Sequence, residues 1–407
     1  MSFEHDSYTE VSEETWFDRL KESIKSVGVG LLLLVAAFPL LFWNEGRAVR
    51  RARTLDEGAG SVVSIKAAGI TDKTRGKLIH TAGLAKSDEV LTDPLLAVSS
   101  GGPALALTRH VEMLQWRQKK VVTKKKRGSR TVKITRYEYD QVWSDKLIPS
   151  RHFKMSATHR NPSAMPVSSK TFGARHVTLG ALSLPPALVA RIRGGAELPV
   201  TWRMRWKIAD RSLRIRTRVY KGTYYVGFNP KKPSVGDTRV RFTVVRPQKV
   251  SVVGKQLAGI TVGPYNTSGG GSIFLLSAGV VGPQAMFKQA QAANNALSWI
   301  LRGVGFALLF FGLLLVFNPL AVLADRLPLA GDLLRFGTLL FAAVTSVALA
   351  GTTIAIAWVA HRPLLGIPVL VVAAASLVGL KLLGSRRKKS HADVDSSQPG
   401  TPALSAR

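Results

Sequence analysis

Three apolar runs near the carboxyl terminus constrain this chain more than any other feature of its sequence. They cover residues 301–322, 333–360 and 364–383, and charged residues are almost absent from them. Each run has about 20 residues or more, the length of an α-helix that crosses the hydrocarbon core of a bilayer. The sequence therefore predicts an integral membrane protein with helices over residues 299–323, 333–360 and 364–383.

A fourth apolar run, near the amino terminus, predicts a membrane helix over residues 26–43. Bulky and charged residues follow it where a cleaved signal peptide would have small ones, so a retained helix is favoured. We interpret the following residues as a membrane-exit motif, in which Glu45 and Arg47 pair with charges on the adjoining domain or with Arg302. The motif consists of Asn44, Glu45, Gly46 and Arg47.

The long polar stretch between these helices, residues 44–298, is predicted to be a β-rich domain. Many of its segments alternate with period two and are rich in β-branched and aromatic residues, which is typical of strands. One helix is predicted after Ser183, because two prolines start it and two glycines stop it. The fold class is therefore an α+β membrane protein, with four transmembrane helices and a large β-rich domain between helices 1 and 2. Candidate strands cover residues 77–85, 105–122, 131–147, 200–209, 213–219, 223–228, 238–245 and 256–262.

The two tails are predicted to face the cytoplasm. Residues 1–25 form an acidic tail with a short amphipathic helix that Ser12 can cap, and residues 384–407 form a basic, disordered tail. With the termini inside, nine basic residues near the membrane lie on the cytoplasmic side and six on the other. The positive-inside rule favours this orientation, which puts residues 44–298 outside the cytoplasm.

The chain is strongly basic, with 57 Lys+Arg against 25 Asp+Glu and a formal net charge of +32. Two of the candidate strands flank the densest cluster of basic residues. This arrangement predicts a long hairpin with a cationic tip. This tip either contacts anionic lipid or a polyanion, or is a solvated turn. Nucleic acid is not expected as a partner of an extracytoplasmic domain. The tip consists of Lys124, Lys125, Lys126 and Arg127.

No catalytic signature is present in the sequence. It has no nucleophile elbow and no phosphate-binding loop, and the absence of Cys excludes disulfides and thiolate metal sites. His110 and Glu112 share one face of a strand and could bind a metal together with His80 or His159, but a packed or solvated pair is favoured. We therefore expect no enzymatic activity, no cofactor and no metal site.

The predicted membrane helices contain small residues at four-residue spacing, which lets helices approach closely. Contact within the four-helix bundle or between protomers would use this spacing. The pairs are Gly351 with Ala355 and Ala375 with Gly379.

Short motifs spread in order over about 320 residues are specific when taken together. They are Asn44-Glu45-Gly46-Arg47-Ala48, Gly76-Lys77-Leu78-Ile79-His80, Leu91-Thr92-Asp93-Pro94, Arg109-His110-Val111-Glu112-Met113-Leu114-Gln115-Trp116, His159-Arg160-Asn161-Pro162-Ser163-Ala164-Met165, Asn229-Pro230-Lys231, Val235-Gly236-Asp237 and Arg362-Pro363-Leu364. Together they resemble the TMEM43 family of membrane proteins, also called LUMA.

The resemblance implies four membrane helices, cytosolic termini and a large domain on the other face. It also implies a role in organising membrane protein complexes, at the endoplasmic reticulum or inner nuclear membrane in animals. The Ala, Arg and Leu bias of this chain is typical of bacteria, where the equivalent place is the cytoplasmic (inner) membrane with a periplasmic domain. We therefore expect a non-catalytic, homo-oligomeric scaffold with membrane lipids and other membrane proteins as partners. The alternative is a lipid-handling or transport-associated protein whose β domain binds an apolar or anionic ligand, and an apolar groove in that domain would distinguish it.

Overall fold

The computed structural model of the chain describes residues 6–67, 72–127, 130–257, 260–324 and 330–361. These residues form two compact units. The β unit contains residues 6–22 and 50–294, and the helical unit contains residues 23–49 and 295–361.

The regular elements are numbered along the chain, helices and strands separately. The helices are α1 (Trp16–Ser61), α2 (Pro186–Val189), α3 (Trp202–Arg205), α4 (Arg211–Arg216), α5 (Pro283–Ala324) and α6 (Ala330–His361). The strands are β1 (Ser7–Glu14), β2 (Val63–Ser64), β3 (Leu78–Lys86), β4 (Val90–Asp93), β5 (Val98–Pro103), β6 (Ala106–Arg127), β7 (Arg130–Ser144), β8 (Lys170–Gly173), β9 (Val177–Leu179), β10 (Leu182–Leu184), β11 (Ala196–Leu198), β12 (Thr217–Tyr220), β13 (Thr223–Val226), β14 (Thr238–Val245), β15 (Gln248–Gln256), β16 (Val262–Gly263), β17 (Tyr265–Asn266), β18 (Ser272–Ile273) and β19 (Leu275–Ala278).

Two sheets build most of the β unit. The first has eight strands in the order β1-β7-β6-β14-β13-β12, with β8 attached to β6 and β11 to β14. The second has seven strands in the order β10-β9-β3-β15-β16, with β19 attached to β15 and β2 to β3. Strands β4 and β5 form a separate pair, as do β17 and β18.

Side chains from both sheets share one hydrophobic core. Leu107 and Phe242 come from the first sheet, Leu179 and Val252 from the second, and all four are buried in the same cluster. Strand β14 shows why, because every second residue from Thr238 to Val244 is buried while those between are more exposed. This alternation puts one face of the first sheet in the core and the other towards water. The second sheet is covered on both faces at β15, where Val253 packs in a second cluster with Leu55 and Phe287. The predicted α+β class and β-rich domain are therefore confirmed.

The helical unit contains three apolar helices that are long enough to cross a membrane, within the part of the chain that the structure describes. They lie in Trp16–Ser61, Pro283–Leu323 and Phe336–His361. The fourth predicted helix, over residues 364–383, and the basic tail after it lie outside the described residues. The structure therefore supports three candidate spans, and the predicted number of four is not supported.

Helix α1 begins after the predicted start of the short amphipathic helix and ends beyond residue 43, the predicted end of the first membrane helix. Thr15 is its N-cap, since its hydroxyl accepts a hydrogen bond from the backbone N–H of Asp18 while the Asp18 carboxylate accepts one from the N–H of Thr15. This reciprocal arrangement is a capping box. The predicted cap, Ser12, lies in β1, so that assignment is wrong. The helix continues through Ser61 because Ala, Arg and Leu in residues 46–56 are strong helix formers.

Strand β1 lies in the first sheet, next to β7. It pairs antiparallel with β7 from Ser7 opposite Glu138 to Glu14 opposite Thr131. A strand and the sheet that it joins lie on the same side of any membrane. The predicted cytoplasmic position of residues 1–25 and the predicted extracytoplasmic position of the sheet are therefore mutually exclusive while this pairing holds.

The eight predicted strands differ in outcome. Five of the candidate strands correspond to β3, β6, β7, β13 and β14. The prediction for residues 200–209 is wrong, because they contain α3, and that for residues 213–219 is wrong up to Arg216, where α4 ends. Of residues 256–262, Gln256 ends β15 and Val262 begins β16, and residues 258 and 259 lie outside the described residues. The helix predicted after Ser183 is the single turn α2.

Candidate functional site

The membrane-exit motif forms a buried charged cluster within the helical unit, centred on Glu45. Its side chain is 2% exposed, and one carboxylate oxygen accepts a hydrogen bond of 2.7 Å from Nε of Arg302. The other oxygen accepts 2.8 Å bonds from Nη2 of Arg302 and from Nε1 of Trp358. Glu45 is on α1, Arg302 on α5 and Trp358 on α6. One carboxylate therefore links the three long helices α1, α5 and α6.

A second set of hydrogen bonds lies beside this carboxylate. The Asn44 amide donates to the backbone oxygen of Ser298 at 3.1 Å, and Asn44 is fully buried. The Arg47 guanidinium donates to the Asn44 side chain at 3.2 Å and to the Ser298 hydroxyl at 2.9 Å. Gly46 between them is also buried. Of the two partners predicted for Glu45, Arg302 is therefore the one observed.

The arrangement around Glu45 is a bidentate ion pair with an additional indole donor. Two parallel N–H···O bonds from one guanidinium fix both the distance and the plane of the carboxylate. Arg302 also lies over the ring of Trp299, with 4.8 Å between its Cζ and the ring centroid. A buried carboxylate is costly unless its partners are all in place, so this cluster specifies one packing of the three helices.

Close contact between α1 and α5 depends on glycine. A Cβ on Gly30 would lie 2.7 Å from the backbone oxygen of Gly312, and a Cβ on Gly312 would lie 2.9 Å from the Leu34 side chain. Gly351 on α6 differs, because no described atom lies within 4 Å of the position of its missing Cβ. Gly351 is exposed and Ala355 is half-buried. The other predicted small pair, Ala375 and Gly379, lies outside the described residues.

Substitution of Gly312 by Leu is expected to destabilise the helical unit by about 1–3 kcal/mol, because the new side chain overpacks the α1–α5 contact. Substitution of Gly351 by Leu is the matched control and should change stability by less than about 0.5 kcal/mol. Unfolding of both variants in mixed SDS micelles, followed by helical circular dichroism, measures the difference. Equal losses in the two variants would contradict the packing described for α1 and α5.

The predicted long hairpin is formed by β6 and β7, which pair from Met113 opposite Ser144 to Arg127 opposite Arg130. At its tip, the Lys124 ammonium donates to Glu14 of β1 at 3.0 Å, whereas Lys125 is exposed. The side chains of Lys126 and Arg127 lie outside the described set. Glu14 thus neutralises one of the four predicted lipid contacts, and binding of anionic lipid by this tip stays a prediction.

Acidic residues of β1 meet basic residues of the hairpin and of the loop after it. Burial acts to raise the pKa of Glu14, but hydrogen bonds from Lys124 and Lys133 outweigh it, so this pKa lies below its usual value. Lys154 hydrogen-bonds Glu10 and lowers the pKa of that carboxyl as well. A lowered carboxyl pKa stabilises the paired state at neutral pH, and this contribution is lost as the pH falls through the lowered value.

Two motifs that carry the family resemblance meet in the interior of the β unit. Nη1 of Arg109 donates to both carboxylate oxygens of Asp93, at 2.9 and 2.6 Å. Their side chains are 4% and 0% exposed. Asp93 also accepts the backbone N–H groups of Leu95 and Leu96, and Nε of Arg109 donates to the backbone oxygen of Ser168. The pair therefore fixes the turn after β4 onto β6.

The other motif residues are also used in internal hydrogen bonds. The Asn161 side chain accepts from the backbone N–H of Trp116 at 2.7 Å and donates to its oxygen at 2.9 Å. The Asp237 carboxylate accepts from the Tyr225 hydroxyl and from the backbone N–H of Ser234. Burial and the bond to Asp237 raise the pKa of Tyr225. Residues 159–165 are thus held to β6 by the side chain of Asn161.

The candidate metal-binding histidines each have a different hydrogen-bond or ion-pair partner. His80 contacts the backbone oxygen of Val281, His110 the Thr243 hydroxyl, and His159 the Asp6 carboxylate at 3.0 Å. Within the described ranges no group of three or more His, Asp or Glu is placed to hold a metal ion.

Two clefts in the β unit have linings that contain both polar and apolar residues. One of about 1040 Å³ lies along the loop from Leu147 to Ala164, where Ser150, Arg160 and Ser163 line it. Another of about 410 Å³ has Trp143, Tyr220 and Tyr225 beside Arg239 and Arg241. The facing side chains of the two sheets are buried in the shared core.

Trp358 and Ser298 are the members of the charged cluster that sequence reasoning missed. Trp358 is the only tryptophan in its apolar run, and an indole N–H in a membrane helix needs an acceptor. That requirement is the sequence signal that could have identified Trp358. The sequence gives no such signal for Ser298, because its contribution comes partly from its backbone oxygen.

The sequence was compared with known families, proteins and structures. The family described as "Transmembrane protein 43" matches residues 113–363. Transmembrane protein 43 of Mus musculus is 32% identical over 371 residues, which cover 89% of this chain and 90% of that protein. The Homo sapiens protein is 31% identical over 393 residues, 94% and 95% of the two chains, and the Drosophila melanogaster homolog is 32% identical over 374 residues, 86% and 92%. No solved structure matches.

Proposed function

Because this chain belongs to the Transmembrane protein 43 family, we propose that it is a non-catalytic membrane scaffold that associates with copies of itself and organises other membrane proteins. Membership of the family and the three apolar helices make it an integral membrane protein. The scaffold role and the self-association are the parts that need a test.

One observation carries the proposal: three side chains of the sequence motifs that could do chemistry, Glu45, Asp93 and His159, are held by internal partners. Glu45 is bound by Arg302 and Trp358, Asp93 by Arg109, and His159 lies beside Asp6. A general acid or base must instead be within reach of a substrate. Side chains used in this way stabilise a fixed shape, which is what a scaffold requires.

Lipid handling is the second function that the sequence left open, and the shape of the β unit favours it less. An apolar ligand needs an apolar cavity that buries most of its surface. The cleft of about 1040 Å³ instead has a mixed lining, in which Ser150, Arg160 and Asn161 lie beside Leu147, Pro149 and Pro162. The facing sides of the two sheets fill their own core, with Leu107, Leu179 and Phe242 at 0 to 1% exposure.

The proposal extends to partners and place. Membrane lipids, a second copy of this chain and other membrane proteins are the proposed partners, and nucleic acid is not. We place the protein in a bacterial cytoplasmic membrane with its sheets on the periplasmic side. The count of nine against six basic residues supports this orientation for cytoplasmic termini, which requires that β1 is released from β7. The corresponding place in a eukaryote is the endoplasmic reticulum or inner nuclear membrane.

Self-association through α6 is tested with Gly351→Leu. Gly351 is exposed on the described helices, so a larger side chain there should leave the protomer folded and separate two helices that pack through it. We expect the variant in nanodiscs to shift from oligomer to monomer relative to wild type, as measured by mass photometry. Phe336→Leu, at an exposed position of the same helix, is the control and should keep the wild-type stoichiometry. An unchanged Gly351→Leu oligomer would exclude α6 as the contact.

A further inference from the structure

Exposed aromatic residues gather around α3 and α4 in the β unit. Trp202 is 63% exposed and Trp206 is 59% exposed, and Ile215 and Phe228 are exposed at 60% and 85%. Large apolar side chains gathered in this way on the outside of a domain indicate an interaction site. We call the outward-facing residues 202–218 together with Phe228 the Trp–Arg surface.

The Trp–Arg surface is held in place from below. Ile208 is fully buried in the shared core, and Met204 and Leu213 pack against that core. Nη1 of Arg214 donates to the backbone oxygen of Ile208 at 2.8 Å, and Asp210 caps α4 through the backbone N–H of Leu213. The exposed tryptophans are therefore on a fixed segment rather than on a loose loop.

Positive charge surrounds the aromatic rings. Residues 202–218 contain seven Arg and Lys and one acid, Asp210. None of the seven takes part in an ion pair within the ranges that the structure describes. Arg205 lies over the ring of Trp206 with 4.8 Å from Cζ to the centroid, and Arg203 lies 5.5 Å from that of Trp202. The cations are Arg203, Arg205, Lys207, Arg211, Arg214, Arg216 and Arg218.

We infer that the Trp–Arg surface docks on the headgroups of an anionic bilayer. Tryptophan prefers the membrane interface, where its ring is among apolar groups and its N–H is in water. Arginines beside it that form no ion pair with a described residue match anionic headgroups in charge. The chain runs from the β unit directly into apolar α1 on one side and α5 on the other, so the domain is tethered near a membrane. The surface would thus orient the β unit on the membrane that anchors it.

The test uses the full-length protein with one introduced cysteine, Ser212→Cys, because the natural sequence has none. The thiol carries an environment-sensitive fluorophore, and the protein is placed in nanodiscs of neutral phosphatidylcholine or of phosphatidylcholine with phosphatidylglycerol. Each disc contains a spin-labelled lipid that quenches nearby fluorophores. We expect the fluorescence emission to shift to shorter wavelength and to be quenched in the anionic discs only. Salt at 0.5 M should reverse both effects, because it shortens the distance over which charges interact to roughly several ångströms.

Variants separate charge and aromatic contributions. Arg203→Gln/Arg211→Gln/Arg216→Gln should lower the ratio of docked to undocked domain on the order of 100-fold, and Trp202→Ser/Trp206→Ser should abolish quenching. The matched control, Lys73→Gln/Arg75→Gln/Lys77→Gln, removes three exposed charges elsewhere in the β unit and should behave as wild type. Quenching that is absent, equal in neutral and anionic discs, or lost equally in the control would overturn the inference. The response to salt of the labelled protein without surface substitutions still tests the inference if a variant fails to fold.

Discussion

Replacement of Glu45 by Ala is expected to destabilise the helical unit by about 3–5 kcal/mol, the typical cost of removing one partner of a buried ion pair. The change leaves the Arg302 guanidinium without its two carboxylate bonds and the Trp358 indole without its acceptor. Helices α1, α5 and α6 all lose a common contact at once. Unfolding in mixed SDS micelles, followed by helical circular dichroism, gives the free-energy difference.

Two further variants identify the ion pair as the cause. Glu45→Gln keeps the shape and one acceptor oxygen, so it should cost less than Glu45→Ala. In Glu45→Gln/Arg302→Gln neither charge remains buried, and the double variant should be more stable than the sum of the single changes predicts. Asp56→Ala, which removes an exposed acid on the same helix, is the control. A Glu45→Ala protein as stable as the Asp56→Ala protein would contradict the role given to the cluster.

A cysteine pair, Val11→Cys with Ile134→Cys, is expected to become cross-linked within one chain in nearly all molecules. The two positions are directly opposite in the β1–β7 register, and such Cβ atoms are about 4.5–5.5 Å apart. The chain has no other cysteine, so a short dithiol-reactive reagent joins only these two. Peptide mass spectrometry of the membrane-embedded protein measures the yield.

The control pair is Val11→Cys with Ser144→Cys, ten residues further along β7 and therefore about 33 Å away. It should give no link within one chain. A link between positions 11 and 134 places residues 7–14 in the compartment of the sheet, against the predicted cytoplasmic tail. Failure of that link in membranes, with both thiols reactive, would instead show that β1 leaves β7 when α1 crosses the bilayer.

The apolar helices and the long hairpin could be predicted because their signals are local. A run of apolar residues and an alternation such as that of residues 135–143 in β7 each identify an element from its own sequence. Strand β1 could not be predicted from local sequence, because its partner β7 lies more than 100 residues away and its acidic residues disfavour a strand. Its acidic residues Glu14 and Glu10 pair with Lys133 and Lys154, which no local pattern reveals.

The segment around α3 shows why short alternation misleads. Trp202, Met204 and Trp206 alternate with basic residues, which indicates a half-buried strand. The chain instead forms helical turns, buries Ile208 and leaves both tryptophans exposed. Four or five alternating residues fit either structure, and tertiary packing decides between them. The Glu45–Arg302 pair was among the alternatives from sequence, but the contribution of Trp358 required the helices to be placed.

The scaffold proposal is tested most directly by the stoichiometry of the purified protein in nanodiscs, measured by native mass spectrometry over a range of protein concentrations. The account predicts a defined oligomer whose mass is an integer multiple of the chain mass plus bound lipid, and which persists on dilution. A monomer at every concentration, with the protein folded by circular dichroism, would contradict the self-association on which the scaffold proposal rests.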